Sequence, residues 1–199
     1  MKKITIITPT YNRAKTLPKV FESLLKQSFK DFIWIILDDG STDNTTEVVE
    51  NFQLFNPFFE IIYKKDKNRH KFLTVLEGVK MVKTPYFMVV DSDDIYPEDA
   101  LETLISEVEK IENQDNYVAV MGLSADENGK IVGNQYPNNG FDGSIFEMRY
   151  KHKVRGDKFG IFITKTYQRE ISGKDFSQYE GKGYIPQSVI FNEYDAKGI

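Results

Sequence analysis

Between residues 3 and 121, short apolar runs alternate with segments whose apolar residues recur at helical spacing. The runs cover residues 3–8, 32–37, 58–63, 86–90 and 117–121, and they are rich in β-branched and aromatic side chains. That is how strands buried on both faces read. Four stripes separate them: Leu17, Val20, Phe21, Leu24 and Leu25; Val48, Val49, Phe52 and Phe55; Phe72, Val75, Leu76, Val79 and Val82; Ala100, Leu101, Leu104, Ile105, Val108 and Ile111. Strict alternation predicts right-handed βαβ crossovers, hence an α/β fold with a mainly parallel sheet flanked by helices. Pro9 is expected to end the first strand. Thr16 is placed to cap the first helix, with Pro18 in its first turn. Gly40 permits a tight turn, and Ser41 or Thr42 can cap the second helix.

The run at 86–90 leads straight into Asp91-Ser92-Asp93-Asp94. Ligands of open α/β sheets sit at the carboxyl ends of the strands. Three strand ends deliver polar groups here: residues 8–13, Asp38-Asp39, and the acids from Asp91 to Asp94. All three are expected at one edge of the sheet. Asp91 and Asp93 can turn toward one point if the strand breaks at Ser92. Such hard oxygen donors suit Mg²⁺ or Mn²⁺, ions that bridge carboxylates to substrate phosphates. The bland alternative is a solvated acidic turn capping the next helix, and the coincidence of three strand ends argues against it. Asp38 reads as support for its turn and Asp94 as a helix cap. The basic run from Lys64 to Lys71 reads as a solvated loop apart from Lys71, and His70 and His152 as surface residues.

The bulk properties exclude several classes. At 199 residues the chain suits one domain. A net charge of −4 disfavours non-specific nucleic-acid binding. Absence of cysteine rules out disulfides and thiolate metal sites. No stretch approaches the roughly 20 apolar residues of a membrane helix. After residue 122 the pattern changes: a hairpin-type turn at 126–129, a loop at 138–143, then residues 156–190, rich in Gly, Tyr, Lys and Asp. The expected division is therefore an α/β half over 1–121 and a smaller, partly antiparallel half over 122–199 that covers the site.

Four stretches together resemble the family 2 glycosyltransferases, which have the GT-A fold. They are Ile6-Ile7-Thr8-Pro9-Thr10-Tyr11-Asn12-Arg13; Leu37-Asp38-Asp39-Gly40-Ser41-Thr42-Asp43; Lys71 with Gly78 seven residues on; and Val90-Asp91-Ser92-Asp93-Asp94. The resemblance implies a nucleotide-diphosphate sugar donor, a UDP-sugar foremost, and a Mn²⁺ or Mg²⁺ cofactor. Pro9 and Tyr11 would flank the nucleobase, and Asp39 would accept a hydrogen bond from the base or ribose. Arg13 and Lys71 would lie near ribose or phosphates. Asp91 and Asp93 would hold the metal, with Ser92 between them on the donor side. Members invert the anomeric centre using an acidic base. The implied role is assembly of surface polysaccharide or glycoconjugate on a saccharide or lipid-linked saccharide, in the cytoplasm at the inner face of the membrane, through peripheral contact.

The second half departs from the family pattern. Gly156-Asp157-Lys158 matches a stretch of some bacterial members, but their later E-G-E-K-F-x-P-E reads here Glu180-Gly181-Lys182-Gly183-Tyr184-Ile185-Pro186-Gln187. Two acids have become Lys182 and Gln187. Glu180 remains as the catalytic base, with Asp157 and Asp175 behind it. Leu76 stands where many members place Asn. The chain ends at Gly198-Ile199, shorter than many members, and reads as a compact enzyme or as the catalytic domain of a longer protein. Two rivals stand beside the transferase reading: a non-catalytic relative that binds nucleotide sugar, and a phosphatase of the haloacid-dehalogenase type.

Overall fold

The computed structural model describes residues 2–186 and 189–190, so Gln187 and the end at Gly198-Ile199 lie outside the described residues. Six strands form one sheet in the order β3-β2-β1-β4-β6-β5. They are β1 (Ile4–Thr10), β2 (Phe32–Asp38), β3 (Glu60–Lys65), β4 (Tyr86–Val89), β5 (Ala119–Leu123) and β6 (Lys158–Ile163). β1 to β4 pair in parallel, and β6 runs antiparallel to both β4 and β5. The parallel part follows from the alternation with α1 (Leu17–Lys26), α2 (Thr45–Phe55), α3 (His70–Met81) and α4 (Ala100–Val108).

Strand side chains alternate between two cores, as the period of two requires. Ile4, Ile6, Phe32, Trp34, Ile36 and Met88 face α1, α2 and α4. Ile7, Ile35, Leu37, Phe87 and Phe162 face α3 and α5 (Thr164–Ile171). Burial on both faces is why these strands carry continuous apolar runs.

Several expectations are corrected. β1 continues through Pro9, which pairs in register with Leu37. The Val90 N–H donates to Ile7 O and the Asp39 N–H to Thr10 O. Alternation therefore turns Pro9 toward β4, whose pairing with β1 ends at Ile7–Val89. No ladder donor is needed there, so proline is tolerated. Phe55 is not on the α2 stripe: it is 72% exposed at the end of the helix, where Val49 and Phe52 are buried. Neither Ser41 nor Thr42 caps α2, because Asn44 occupies that position. The turn at 126–129 is flanked by a single bridge, Ala125 to Ile131, rather than by strands.

The larger correction is β6. The second half also contributes to the sheet, inserting a strand between β4 and β5. Gly160 makes that insertion fit. A Cβ there would lie 2.4 Å from Met121 Sδ and 2.7 Å from Val120 O. Gly160→Val should therefore force β5 and β6 apart, at about 1–3 kcal/mol for an overpacked site. Thermal unfolding should show it as a fall of roughly 2–4 °C per kcal/mol. An unchanged melting curve would mean the pair is looser than its geometry.

Candidate active site

The site is built from four chain crossings at the carboxyl ends of β1, β2, β3 and β4. The loop after β1 is tied to the loop after β2. Asn12 sits at φ +54°, a region that Asn tolerates better than most residues. Its N–H donates to Ser41 Oγ at 2.8 Å, and its Oδ1 accepts from the Thr42 N–H at 2.8 Å. The Arg13 N–H donates to Thr45 Oγ1, and the Ala14 N–H to Asp43 Oδ2, both at 3.1 Å. Asn12 is thus a positioning residue that sequence reading left without a role; its αL tolerance, just past a strand end, was the available signal.

Asp38 supports its turn as expected. Its Oδ1 accepts from the Ser41 N–H at 2.7 Å and its Oδ2 from the Tyr63 hydroxyl at 2.5 Å. Burial and then this carboxylate raise the Tyr63 phenol well above its ordinary range. Asp39 is 7% exposed. Its Oδ1 accepts from the Arg69 N–H at 2.7 Å and the Thr74 hydroxyl at 2.9 Å. Gly40, at φ +87°, lets the loop press on the next one: a Cβ there would stand 3.1 Å from Asn68 N. Both the positive φ and the contact suit glycine.

Lys71, in the first turn of α3, places its Nζ 2.5 Å from Asp91 Oδ2. Arg13 Nη2 stands 4.0 Å from Asp93 Oδ2. Pro9, Thr10, Tyr11, Arg13, Asp39, Lys71, Asp91, Ser92 and Asp93 all line one cleft of about 270 Å³. Tyr11 is 47% exposed. Thr10 is the one lining residue to which the sequence assigned no separate role.

A second cleft of about 770 Å³ shares Lys71 and Asp91 with the first and adds Asp94, Asp157, Lys158 and Tyr184. Asp157 is therefore brought to the acid cluster. Glu180 is not: it lines neither cleft, and its Oε1 stands 3.9 Å from both Lys67 Nζ and Arg69 Nε. Asp175 is also elsewhere, accepting from the Ser177 N–H and hydroxyl.

Burial, followed by the charges of Asp91 and Asp93, raises the Asp94 carboxyl above its ordinary value. The cluster thus carries negative charge that Lys71 and Arg13 only partly offset. Among the described residues no three acidic or histidine side chains converge as a closed metal cage. Two carboxylates open to a cleft still fit an ion of the Mg²⁺ or Mn²⁺ class, which completes its oxygen shell with substrate phosphates and water.

Residues 5–174 match the family described as "Glycosyl transferase family 2". The chain belongs to this family. The match also removes the phosphatase alternative. Over 202 residues the chain is 32% identical to the poly(ribitol-phosphate) beta-N-acetylglucosaminyltransferase TarP of Staphylococcus aureus, covering 96% of this chain and 56% of TarP. Two solved structures share the GT-A fold. One is S. aureus TarS 1-349 in complex with UDP, with a TM-score of 0.61 and 20% identity, covering 90% of this chain and 52% of that one. The other is the mannosyltransferase PcManGT from Pyrobaculum calidifontis in complex with GDP-Man and Mn²⁺, with a TM-score of 0.60 and 16% identity, covering 87% and 47%. The chain thus spans about half the length of these relatives. No helix among the described residues is long and apolar enough to cross a membrane.

Proposed function

We propose that the chain carries the donor site of a metal-dependent, inverting glycosyltransferase that moves a sugar from a nucleotide-diphosphate sugar to an acceptor hydroxyl. One observation carries this reading. All eight donor-side residues chosen from the sequence, drawn from three strand ends and the first turn of α3, line a single cleft. In this reading Tyr11 and Pro9 flank the base. Asp39, its Oδ1 held by Arg69 and Thr74, offers Oδ2 to the base or ribose. Asp91 and Asp93 hold the cation. When bound, the ion would neutralise charge on the departing diphosphate. Lys71 and Arg13 add positive charge where that charge grows.

Asp157 is the base this reading favours, because it shares the larger cleft with Asp91 and Asp94. A base must reach the acceptor hydroxyl, and Glu180 is engaged with Lys67 and Arg69 instead. That engagement, with Lys182 and Gln187 standing where relatives carry acids, favours the second reading: a relative that binds nucleotide sugar and transfers nothing.

UDP is the nucleotide to expect, since TarS was crystallised with it; the pairing of GDP-Man with Mn²⁺ in PcManGT supports the metal. A saccharide or lipid-linked saccharide acceptor in surface glycoconjugate assembly, on the cytoplasmic side of the membrane, completes this reading; the GalNAc(5)-diNAcBac-PP-undecaprenol beta-1,3-glucosyltransferase of Campylobacter jejuni, 27% identical over 183 residues, supports the lipid-linked acceptor. The test is calorimetric titration of UDP, GDP and dTDP, each with Mn²⁺ and with EDTA. Metal-dependent binding of UDP alone is expected. No binding by any diphosphate overturns the reading. Donor hydrolysis or transfer by the chain would remove the non-catalytic alternative.

A further inference from the structure

β3 is an outermost strand of the sheet, and its pairing is one-sided: among the described residues it forms a ladder with β2 alone. The register decides which backbone groups are left over. The Asp66 N–H donates to Asp38 O, and Asp38 pairs with Lys65. Even-numbered residues of β3 therefore turn their N–H and C=O toward β2, while Ile61, Tyr63 and Lys65 turn theirs outward. Two side chains of the same copy reach this rim: Gln53 Nε2 donates to Ile61 O at 3.0 Å, and Asn56 Nδ2 to Phe59 O at 2.6 Å. A carbonyl has a second lone pair for another donor. The N–H groups of Ile61 and Tyr63 and the carbonyl of Tyr63 have no partner among the described residues.

The edge is also apolar. Ile61, Ile62 and Tyr63 are only partly buried. Leu54, Phe55 and Phe58, three large residues within five positions just before β3, are 74%, 72% and 56% exposed. Exposed edges are commonly blunted by charge. Here the charges are Glu60 at one end of β3 and Lys64 and Lys65 at the other. Opposite signs at opposite ends do not repel a second copy that runs antiparallel; they match it.

We propose that β3 pairs antiparallel with β3 of a second copy, about a two-fold axis at Ile62, and so joins two sheets into one. Outward groups must face outward groups, so the axis lies at a residue and not between two. With the axis at Ile62, Ile61 exchanges both ladder bonds with the partner's Tyr63, Ile62 faces the partner's Ile62, and Glu60 faces the partner's Lys64. An axis at Tyr63 would set Glu60 against the partner's Asp66, and one at Ile61 would set Glu60 against the partner's Ile62. Charge complementarity therefore selects both the occupant and the register. Lys64, already 3.1 Å from Glu77 of its own copy, would carry a carboxylate on each side. The two donor clefts would open at opposite edges of the joined sheet, so the joint does not depend on sugar transfer.

The chain has no cysteine, so the single variant Ile62→Cys tests the axis directly. Facing residues of a non-hydrogen-bonded antiparallel pair stand about 4.5 Å apart at Cα, inside the range of about 4.4–6.8 Å that a disulfide spans. Oxidation with diamide should cross-link Ile62→Cys at least about tenfold faster than Glu60→Cys, because the joint makes the reaction intramolecular. Random collision predicts the reverse order, since Glu60 is the more exposed. Sedimentation equilibrium of the parent should show a mass rising with concentration toward twice that of the chain. Glu60→Lys sets like charges face to face and should raise the dissociation constant about tenfold. Adding Lys64→Glu to it should bring the constant back toward the parent's. Thermal unfolding checks the fold of each variant. Titration of Glu60→Lys with UDP and Mn²⁺ should match the parent, and it reads the donor site separately. A parent that stays monomeric at every concentration overturns the proposal and leaves the edge to a strand of another protein. So does Ile62→Cys that cross-links no faster than Glu60→Cys, or Glu60→Lys that dimerises like the parent.

Discussion

Asp93→Ala should make nucleotide binding indifferent to metal: titrations with Mn²⁺ and with EDTA should coincide. Asp93 is exposed, and it faces Arg13 Nη2 at 4.0 Å. Removing it should therefore shift stability by no more than about 0.5 kcal/mol, as for other surface changes. Binding is different. The cleft offers two carboxylates for a cation, and an ion of this class needs several hard oxygens. With Asp93 gone, Asp91 remains, and Lys71 already stands 2.5 Å from it. A lone carboxylate shared with an ammonium group is a poor cation ligand. The loss in affinity with Mn²⁺ present should be at least about tenfold, or 1.4 kcal/mol. Unchanged metal-dependent affinity in the variant would move the cation away from the Asp91–Asp93 pair.

Trp34→Ala should destabilise the fold more than Gly160→Val. Trp34 is fully buried at the centre of β2. It stacks with Phe21 and Phe52 at 6.1 and 5.9 Å and meets Phe59 edge-on at 6.5 Å. Its indole N–H donates to Thr8 Oγ1 at 2.9 Å. Truncating a buried aromatic costs about 3–5 kcal/mol, and the stripped Thr8 hydroxyl adds about 1 kcal/mol or more. Against a typical total of about 5–15 kcal/mol, much of the stability goes. Calorimetry should show a fall of roughly 2–4 °C for each kcal/mol. Trp34→Phe should recover most of it, leaving the Thr8 hydroxyl as the residual defect. A variant melting close to the parent would mean that the three Phe rings collapse into the space.

Much of the architecture was legible because parallel strands buried on both faces write themselves as continuous apolar runs. The donor side was legible for a second reason: strand order places consecutive carboxyl ends at one edge, so Thr10, Asp39 and Asp91 converge without further information. What escaped sequence reading shares a cause. β6 contains Gly160 and starts with a lysine, so its local pattern is weak; its place depends on Met121 and Val120 leaving no room for a Cβ. α5 buries Thr164, Thr166 and Glu170 beside Tyr167 and Ile171, so no apolar stripe announces it. Phe55 misled for the converse reason: it fits the α2 period, but as the last residue of the helix it stays 72% exposed.

The sequence by itself determined the α/β half and the acid cluster, because both follow from local periodicity and from strand polarity. Only the tertiary structure decided which acids meet. It brought Asp157 into the cleft that Asp91 lines, through an antiparallel strand whose apolar run Gly160 interrupts, and it turned Glu180 toward Lys67 and Arg69, away from both clefts. The physical reason is range. A strand end is positioned by its own run and its neighbours, whereas residues 157 and 180 are positioned by packing against segments some 35 to 110 residues away in the chain, and local composition holds no record of that packing.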